Sequence, residues 1–229
     1  MQRRRIPRLE EYLAAAEHDG TPIRTLLVQL LRAEWQARQQ AALDARLKRA
    51  QLPDVWTLET FPFNVQTGVR ERKIRTLAEL DFIPKAENIV VIGETGVGKT
   101  VLRSALVLKA VQNGYRARFV KAQDLFDEFY ASLADRSTRR LIRSLATIDL
   151  LAIDEMGYLD VKPEQTNIFF KLMEERHHRR PTLLTTNLPY AAWAEFLGNR
   201  PLTEALLSRL RERCHTIIID GPCLRVQQG

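Results

Sequence analysis

The chain has 229 residues, 45% of them hydrophobic, and a formal net charge of +7. This length allows one sizeable α/β core with a smaller extension. The positive charge favours an acidic partner such as nucleic acid, although a basic enzyme without such a partner carries the same charge. The two cysteines, Cys214 and Cys223, come with no second pair and no histidine group at metal-binding spacing, so the sequence indicates neither a disulfide framework nor a zinc site.

The apolar runs of the chain are short. The segments NIVVIG and LLAI are far too short to cross a bilayer, and the basic start MQRRRIPRLEEYL continues into Glu10 and Glu11 instead of an apolar segment. We therefore expect a cytoplasmic protein that has no membrane partner.

Two helices are predicted at the beginning of the chain. The first covers residues 8–18 and stops before Gly20, and the second has Pro22 in its first turn and continues to about residue 51. Apolar side chains recur at helical spacing along the second helix. We expect an N-terminal helical domain over residues 1–56, whose apolar face either packs within the chain or docks on a partner protein or DNA.

A compact domain is predicted over residues 57–229. After a connector, β and α patterns alternate, which is typical of a parallel sheet with helices on both faces. The predicted strands are Ile89–Ile92, Ala117–Val120, Leu150–Ile153, Thr182–Thr185 and Thr216–Ile219. The predicted helices run from Lys99 to about Gln112, from Asp124 to about Leu133, from Thr138 to Thr147, from Glu164 to His178, from Ala191 to Leu197 and from Leu202 to Arg213.

The segment GETGVGKT matches the phosphate-binding pattern G-x-x-x-x-G-K-[ST], and it lies between an apolar strand and a helix. Backbone N–H groups of such a loop turn inward around phosphates, Lys99 neutralises the β and γ phosphates, and the Thr100 hydroxyl binds Mg²⁺. The sequence therefore predicts a P-loop that binds ATP with Mg²⁺. The predicted cofactor-binding residues are Gly93, Glu94, Thr95, Gly96, Val97, Gly98, Lys99, Thr100 and Val101.

Two carboxylates, Asp154 and Glu155, follow the apolar strand LLAI. Unpaired carboxylates at the end of a buried strand are costly, and Mg²⁺ explains their presence. Asp154 is then a metal ligand through water, and Glu155 is the general base that polarises the attacking water. A surface turn is the alternative for this pair of residues alone.

Two more polar residues are candidates for catalysis. Asn187 ends the strand TLLTTN, which we expect between the P-loop strand and the strand before Asp154; there it orients the lytic water and senses the γ-phosphate, or it is a simple turn residue. Arg209 lies with Arg211 and Arg213 on one short helix. That helix is either a solvated basic surface or the carrier of an arginine that reaches the γ-phosphate of a neighbouring subunit.

Weaker signals each allow a structural alternative. The aromatic residues Phe61, Phe63 and Phe82 flank an adenine or pack the connector. His177 and His178 are helix-end cations first and DNA contacts second. Five basic residues either line a phosphate-binding surface or lie on solvated helix faces: Lys121, Arg136, Arg139, Arg140 and Arg143.

The order of GETGVGKT, LLAIDEMGYL, LLTTNLPYAAW and LLSRLRERCHTIII resembles that of the IstB-like transposition helper ATPases of bacterial insertion sequences, which are relatives of DnaC-type helicase loaders. The resemblance extends upstream through RAEWQARQQAALDARLKRAQLP and covers nearly the whole chain. It implies an AAA+ core, in which only ten residues follow the last predicted strand, so that the C-terminal lid is truncated or absent. It also implies an N-terminal region that engages the transposase, ATP-driven homo-oligomer assembly on duplex DNA, and DNA-stimulated ATP hydrolysis.

The resemblance also implies roles for particular residues. Phosphate binding falls on Gly93, Gly98, Lys99 and Thr100, metal binding on Thr100 and Asp154, catalysis on Glu155, sensing on Asn187 and the arginine finger on Arg209. The chain departs from the family near its end, where Cys223 and Leu224 precede Arg225 instead of a Ser-Tyr-Arg-like segment, so no sensing role is carried over to Arg225.

The sequence thus predicts an ATP-dependent regulator that assembles on duplex DNA, presents that DNA to a transposase and uses hydrolysis as a timer. One alternative is a helicase loader, which handles single strands. Another is an architectural scaffold on DNA in which ATP is a structural ligand and turnover is incidental.

Overall fold

The computed structural model describes residues 9–224 and divides into two units between Arg46 and Leu47. The division falls inside a helix, whereas the domain boundary predicted from the sequence follows residue 56. Arg225 lies outside the described residues, whereas Cys223 and Leu224, which precede it, are described. No helix in the described part of the chain has the length and hydrophobicity required to cross a membrane.

The first unit is helical. Helix α1 covers Leu9–His18, and helix α2 covers Ile23–Ala50, the last residues of which belong to the second unit. Large apolar side chains are exposed along α2 at four-residue spacing, and we call Ile23, Leu27, Leu31 and Trp35 the α2 stripe.

The second unit begins with a connector and continues as alternating strands and helices. The connector contains a short 3-10 turn, Leu58–Thr60, and helix α3, Glu71–Leu77. The strands are β1 Asn88–Gly93, β2 Ala117–Lys121, β3 Leu150–Met156, β4 Thr182–Thr186 and β5 Cys214–Ile219. The helices are α4 Lys99–Gln112, α5 Ala122–Ala134, α6 Thr138–Ala146, α7 Pro163–Arg176, α8 Trp193–Leu197 and α9 Arg200–Glu212.

The five strands form one parallel sheet in the order β2-β3-β4-β1-β5. Successive residues of a strand face opposite sides of a sheet, and every residue of β4 is buried. Both faces are therefore covered, as predicted. The order also confirms that β4 lies between the P-loop strand and β3. The described residues after β5, 220–224, form no helix.

Two predicted boundaries are wrong in ways that matter for function. Strand β3 continues past Ile153 to Met156, and its pairing with β4 shifts register between those two residues. Helix α7 ends at Arg176, whereas the prediction extended it to His178. His178 has a φ of 57°, a left-handed conformation that no helix continues.

Buried polar side chains organise the edge of the sheet where the strands begin, which we call the amino edge. Asn88 receives a hydrogen bond from the Thr182 N–H (2.9 Å) and donates its side-chain amide to the Leu210 carbonyl (3.2 Å). Its backbone N–H donates to the Arg213 carbonyl (2.7 Å). Asn88 thus fixes the start of β4 and the end of α9 to β1. Loss of any of these hydrogen bonds would leave a buried polar group unpaired, which is costly.

Arg176, the last residue of α7, has 1% of its surface exposed and is the second organising side chain of the amino edge. Its guanidinium donates to the carbonyls of Leu145 (2.7 Å) and Ile148 (2.9 Å), to the Thr182 hydroxyl (3.0 Å) and to the Pro181 carbonyl. Burial lowers the pKa of Arg176 to about 9. These bonds hold the turn that follows α7 against the start of β4.

Candidate nucleotide site

The P-loop lies at the opposite edge of the sheet, the carboxyl edge, between β1 and α4. Parallel strands place the loops that follow β1, β3 and β4 side by side at this edge. Gly93 is required by packing, because a Cβ there would lie 2.7 Å from the Ile219 carbonyl oxygen of β5. The loop therefore begins in close contact with the neighbouring strand, and α4 directs its N-terminus at the space beyond.

A cleft of about 550 Å³ opens over this helix end, a size within the range of small-molecule sites. Lys99 and Thr100 line it from α4, Asp154 and Glu155 line it from β3, and further lining comes from Trp56, Thr95, Gly96, Gly98, Val101, Tyr158 and Leu224. The structure thus brings most of the predicted phosphate and metal residues together. Val97 instead turns its side chain into the core, where it is 2% exposed.

Lys99 lies across the mouth of the P-loop. Its ammonium group donates to the carbonyls of Gly93 (2.7 Å) and Glu94 (2.8 Å). The Thr95 hydroxyl is 2.8 Å from the hydroxyl of Tyr158, which follows β3. The lysine is therefore positioned over the loop that the sequence assigned to phosphates.

Asp154 is buried at the end of β3 and is held by two groups. The Arg103 guanidinium of α4 forms an ion pair with it at 2.8 Å, and the Thr185 hydroxyl of β4 donates to its other oxygen. Arg103 has no exposed surface. Burial lowers the pKa of Arg103, and the negative charge of Asp154 opposes that shift. Asp154 is thus fixed at the end of β3 beside the P-loop, and the metal-binding role predicted for it stays a prediction.

Glu155 occupies the irregular position of β3. Its φ is 61°, and its neighbours Asp154 and Met156 are buried while Glu155 itself is exposed. A left-handed residue of this kind costs on the order of 1–3 kcal/mol and is typical of functional sites. Its N–H donates to the Thr185 hydroxyl (3.1 Å), and its carboxylate lies 3.7 Å from the Lys121 ammonium. The bulge therefore turns the predicted general base out of the sheet and into the cleft.

Asn187 directly follows β4 and lies against the turn after β3. A Cβ on Gly157, whose φ is 108°, would lie 2.8 Å from the Asn187 side-chain oxygen. That oxygen is buried and accepts no hydrogen bond from the described residues. Buried polar atoms are usually paired, so the unpaired oxygen supports a role beyond that of a turn residue.

The connector closes one side of the cleft together with the segment after β5. The Leu224 N–H donates to the Gly96 carbonyl (3.0 Å), and the buried Gln66 donates to the Pro222 carbonyl (2.7 Å). Phe61 and Phe82 are buried at 3% and 2% exposure, so packing explains them. The aromatic residues that line the cleft are Trp56 and Tyr158, neither of which the sequence singled out as a site residue.

Arg209 lies far from this cleft. Strand β5 starts opposite Asn88 of β1, so the end of α9 that precedes it is at the amino edge. There the Arg209 guanidinium is 3.3 Å from the Glu174 carboxylate, and it is half-exposed. The two ends of β1 therefore separate Arg209 from the P-loop of its own chain.

Sequence reasoning missed Arg103, Thr185, Trp56 and Tyr158. Arg103 had a usable signal, since it is a charged residue among apolar ones on the core-facing side of a helix, where charges occur only with partners. Thr185 and Trp56 had no such signal, because their roles depend on contacts across the sheet and across the cleft.

Comparison with known proteins agrees with this geometry. A family model described as "IstB-like ATP binding protein" matches residues 5–229. The chain is 34% identical to an ATP-binding protein of insertion sequence IS21 from Pseudomonas aeruginosa, over 96% of this chain and 83% of that protein. It is 33% identical to an ATP-binding protein of insertion sequence IS5376 from Geobacillus stearothermophilus, over 96% of this chain and 88% of that protein.

Among solved structures, that of DnaI superposes with a TM-score of 0.62 and 22% identity, covering 72% of this chain and 91% of DnaI. At this identity the likeness concerns the fold alone. It confirms the P-loop AAA+ fold predicted from the sequence.

Proposed function

The chain belongs to the family of IstB-like ATP-binding proteins, and on that premise we propose that it is an ATP-dependent DNA-binding regulator that oligomerises on duplex DNA and stimulates a transposase in DNA transposition. ATP binding by an AAA+ protein follows from the family. Hydrolysis, DNA binding, assembly and transposase contact go beyond what the family establishes.

The main support for ATP hydrolysis is that Lys99, Asp154 and Glu155 line the same cleft. Lys99 binds the β and γ phosphates, and Glu155 accepts a proton from the attacking water. The oxygen ligands offered by Thr100 and Asp154 fit Mg²⁺, which supplies charge neutralisation at the phosphates when bound. Asn187 orients the water from β4.

Binding to duplex DNA is supported by the distribution of positive charge. The exposed arginines of α6, Arg139 and Arg143, line a groove between α6 and α7 together with Lys171. No ion pair of Arg139 or Arg143 is found among residues 9–224. Arginines that protein carboxylates leave unpaired are available for phosphates, and such contacts bind the backbone without reading sequence.

Assembly and transposase contact are supported by two exposed features. Arg209 is too far from its own P-loop to act there, so its partner is the ATP of another copy. The α2 stripe leaves Ile23 at 77% and Leu31 at 70% exposure, an apolar face of the kind that binds a partner protein. The relatives named above are insertion-sequence proteins, and the transposase is the partner that this context supplies.

The test measures DNA binding by fluorescence anisotropy with and without a nonhydrolysable ATP analogue, at several salt concentrations. We expect ATP-dependent binding to duplex DNA of any sequence, with affinity that falls steeply as salt rises. Preference for single strands would favour the helicase loader, and unchanged binding without nucleotide would contradict the proposal. Transposition assays with a Glu155→Gln variant decide whether ATP turnover is required for transposition. An architectural scaffold would not require it.

A further inference from the structure

A cluster of metal-ligand side chains lies at the amino edge, far from the nucleotide cleft. The turn after α7 carries His177 and His178, and the last residue of α9 is Glu212. The ligand atoms of these three residues lie within 4.8 Å of one another. We propose that His177, His178 and Glu212 form a Zn²⁺ site that joins the turn after α7 to the end of α9.

The two distances from the imidazoles to Glu212 fit ligands of a tetrahedral ion better than hydrogen bonds. The Nε2 atoms of His177 and His178 each lie 3.4 Å from one Glu212 carboxylate oxygen. Two ligands at ordinary zinc bond lengths of 2.0–2.1 Å stand about 3.3–3.4 Å apart in a tetrahedron, whereas N–H···O bonds have lengths of about 2.7–3.2 Å. In the same chain, His215 and Glu87 show an ordinary hydrogen bond, with 2.8 Å between Nε2 and the carboxylate oxygen.

The backbone brings the two histidines to the same side. Side chains of adjacent residues normally point apart, but the left-handed φ of 57° at His178 reverses the chain and places its ring beside that of His177, with centroids 3.9 Å apart and ring planes tilted by 55°. Such a φ is uncommon for a residue with a side chain and costs energy. The hydrogen bonds of Arg176 hold this turn in place.

The carboxylate is held at a fixed distance from the turn. Asn88 binds the carbonyls of Leu210 and Arg213, on either side of Glu212, and also the N–H of Thr182 beyond the turn. The backbone of both segments is therefore positioned before any ion binds, which reduces the entropic cost of binding.

The charges around the cluster act in both directions on an ion. Glu212 lies at the negative end of the α9 dipole, where a cation is favourable. Arg209 and Arg213 are cations near the cluster that oppose the ion, and the ion pair with Glu174 partly neutralises Arg209.

Zn²⁺ fits the cluster because two imidazoles and one carboxylate form a three-ligand zinc set, with water in the fourth position. Magnesium prefers an all-oxygen shell and does not compete. No sequence pattern indicates this site, since metal-spacing rules look for ligands close in the chain and Glu212 is on another element.

Calorimetry with ZnCl2 on the chelator-treated full chain tests the site, with Mg²⁺ present throughout. We expect one equivalent to bind, and we expect Glu212→Gln and His178→Gln each to weaken binding by roughly tenfold or more, since loss of supporting groups alone costs 10–100-fold. His18→Gln is the control, because His18 is exposed on α1, and it should bind Zn²⁺ as the unmodified chain does.

Replacing Zn²⁺ by Co²⁺ identifies the ligands independently. A tetrahedral visible spectrum without a thiolate band is expected; a thiolate band would place the ion on Cys214 or Cys223 and overturn the proposal. Absence of saturable binding, or equal affinity in the unmodified chain and in Glu212→Gln, would overturn it as well. Both substituted positions are exposed, and circular dichroism verifies that the variants are folded.

Discussion

Lys99 and Glu155 line one cleft, and the roles proposed for them belong to different steps, so their variants should fail in different ways. Lys99→Ala removes the charge that holds the phosphates, and we expect it to lose ATP binding and assembly together. Glu155→Gln removes the base and leaves Asp154 in place, so it should retain ATP and accumulate as long-lived assemblies on DNA. Binding of a fluorescent ATP analogue and release of phosphate distinguish the two. Glu195→Gln, an exposed change on α8, is the matched control, and wild-type turnover in Glu155→Gln would remove that residue from catalysis.

Arg103 is the ion-pair partner of the buried Asp154 carboxylate, and its loss should destabilise the fold. Arg103→Met leaves Asp154 buried with only the Thr185 hydroxyl, and breaking a buried pair in this way costs about 3–5 kcal/mol. Urea unfolding measures the change. Arg200→Met removes an exposed i,i+4 pair with Glu204 and should cost at most about 1 kcal/mol. Equal and small effects of both changes would show that the buried pair adds nothing to stability.

Among single residues, the sequence predicted those whose roles follow from the short segment in which they lie. Lys99 and Thr100 follow from the single segment GETGVGKT, and Asp154 and Glu155 follow from one strand and its end. Arg103 and Thr185 did not follow, because their importance arises only when α4 and β4 are placed beside Asp154. His177 and His178 were assigned to a helix end, whereas their left-handed turn depends on the buried Arg176 and the carbonyls that it binds.

Helix α6 is the element on which DNA affinity should depend. The double variant Arg139→Gln with Arg143→Gln removes two charges from one groove, so duplex affinity should fall. The slope of log affinity against log salt should become shallower by about 0.9 for each phosphate that the variant no longer neutralises. Basal ATP hydrolysis should not change. The control is Arg70→Gln with Arg72→Gln, which removes the same charge beside α3. An equal fall in affinity in the control would mean that net charge alone, not α6, determines binding.

Helix α2 should carry the contact with the transposase. Leu27→Glu with Leu31→Glu places charge in the α2 stripe, and because both side chains are exposed the free energy of unfolding should change by no more than about 0.5 kcal/mol each. ATP hydrolysis should persist while stimulation of the transposase in a transposition assay is lost. Gln29→Glu with Gln36→Glu adds the same charge at other exposed positions of α2. Full stimulation by the stripe variant would exclude this face as the contact.

The helices and strands themselves were predictable because each has a clear hydrophobic period and residues that mark its ends. All five strands and the helix α4 lie where the pattern placed them. The end of β3 was not predictable, since the bulge at Glu155 depends on Thr185 and Thr186 of the adjacent strand. The sheet order was predictable only in part: the strand that ends before Asn187 was expected between the P-loop strand and β3, and the positions of β2 and β5 were not predicted.

For the whole assembly, Arg209 should act on the ATP of another copy. An arginine finger contributes roughly 10³-fold or more to the rate, so Arg209→Ala should bind ATP but turn over very slowly. Arg209→Ala retains an intact cleft and Glu155→Gln retains an intact arginine, so an equimolar mixture on DNA should regain hydrolysis that neither shows alone. An inactive mixture that still co-assembles would exclude Arg209 and make Arg211 or Arg213 the next candidate.

If Arg209 completes the site of another copy, as proposed, the number of complete catalytic centres depends on how the copies join, because the length of β1 separates Arg209 from the cleft of its own chain. A contact between the amino edge of one copy and the carboxyl edge of the next is head-to-tail, and such contacts build either a closed ring or a chain that can keep growing. A ring has as many complete catalytic centres as it has copies. An open chain has one catalytic centre fewer than it has copies, because the cleft at one end receives no arginine and the Arg209 at the other end reaches no cleft. Hydrolysis per copy should therefore rise with protein concentration and level off as the chains lengthen.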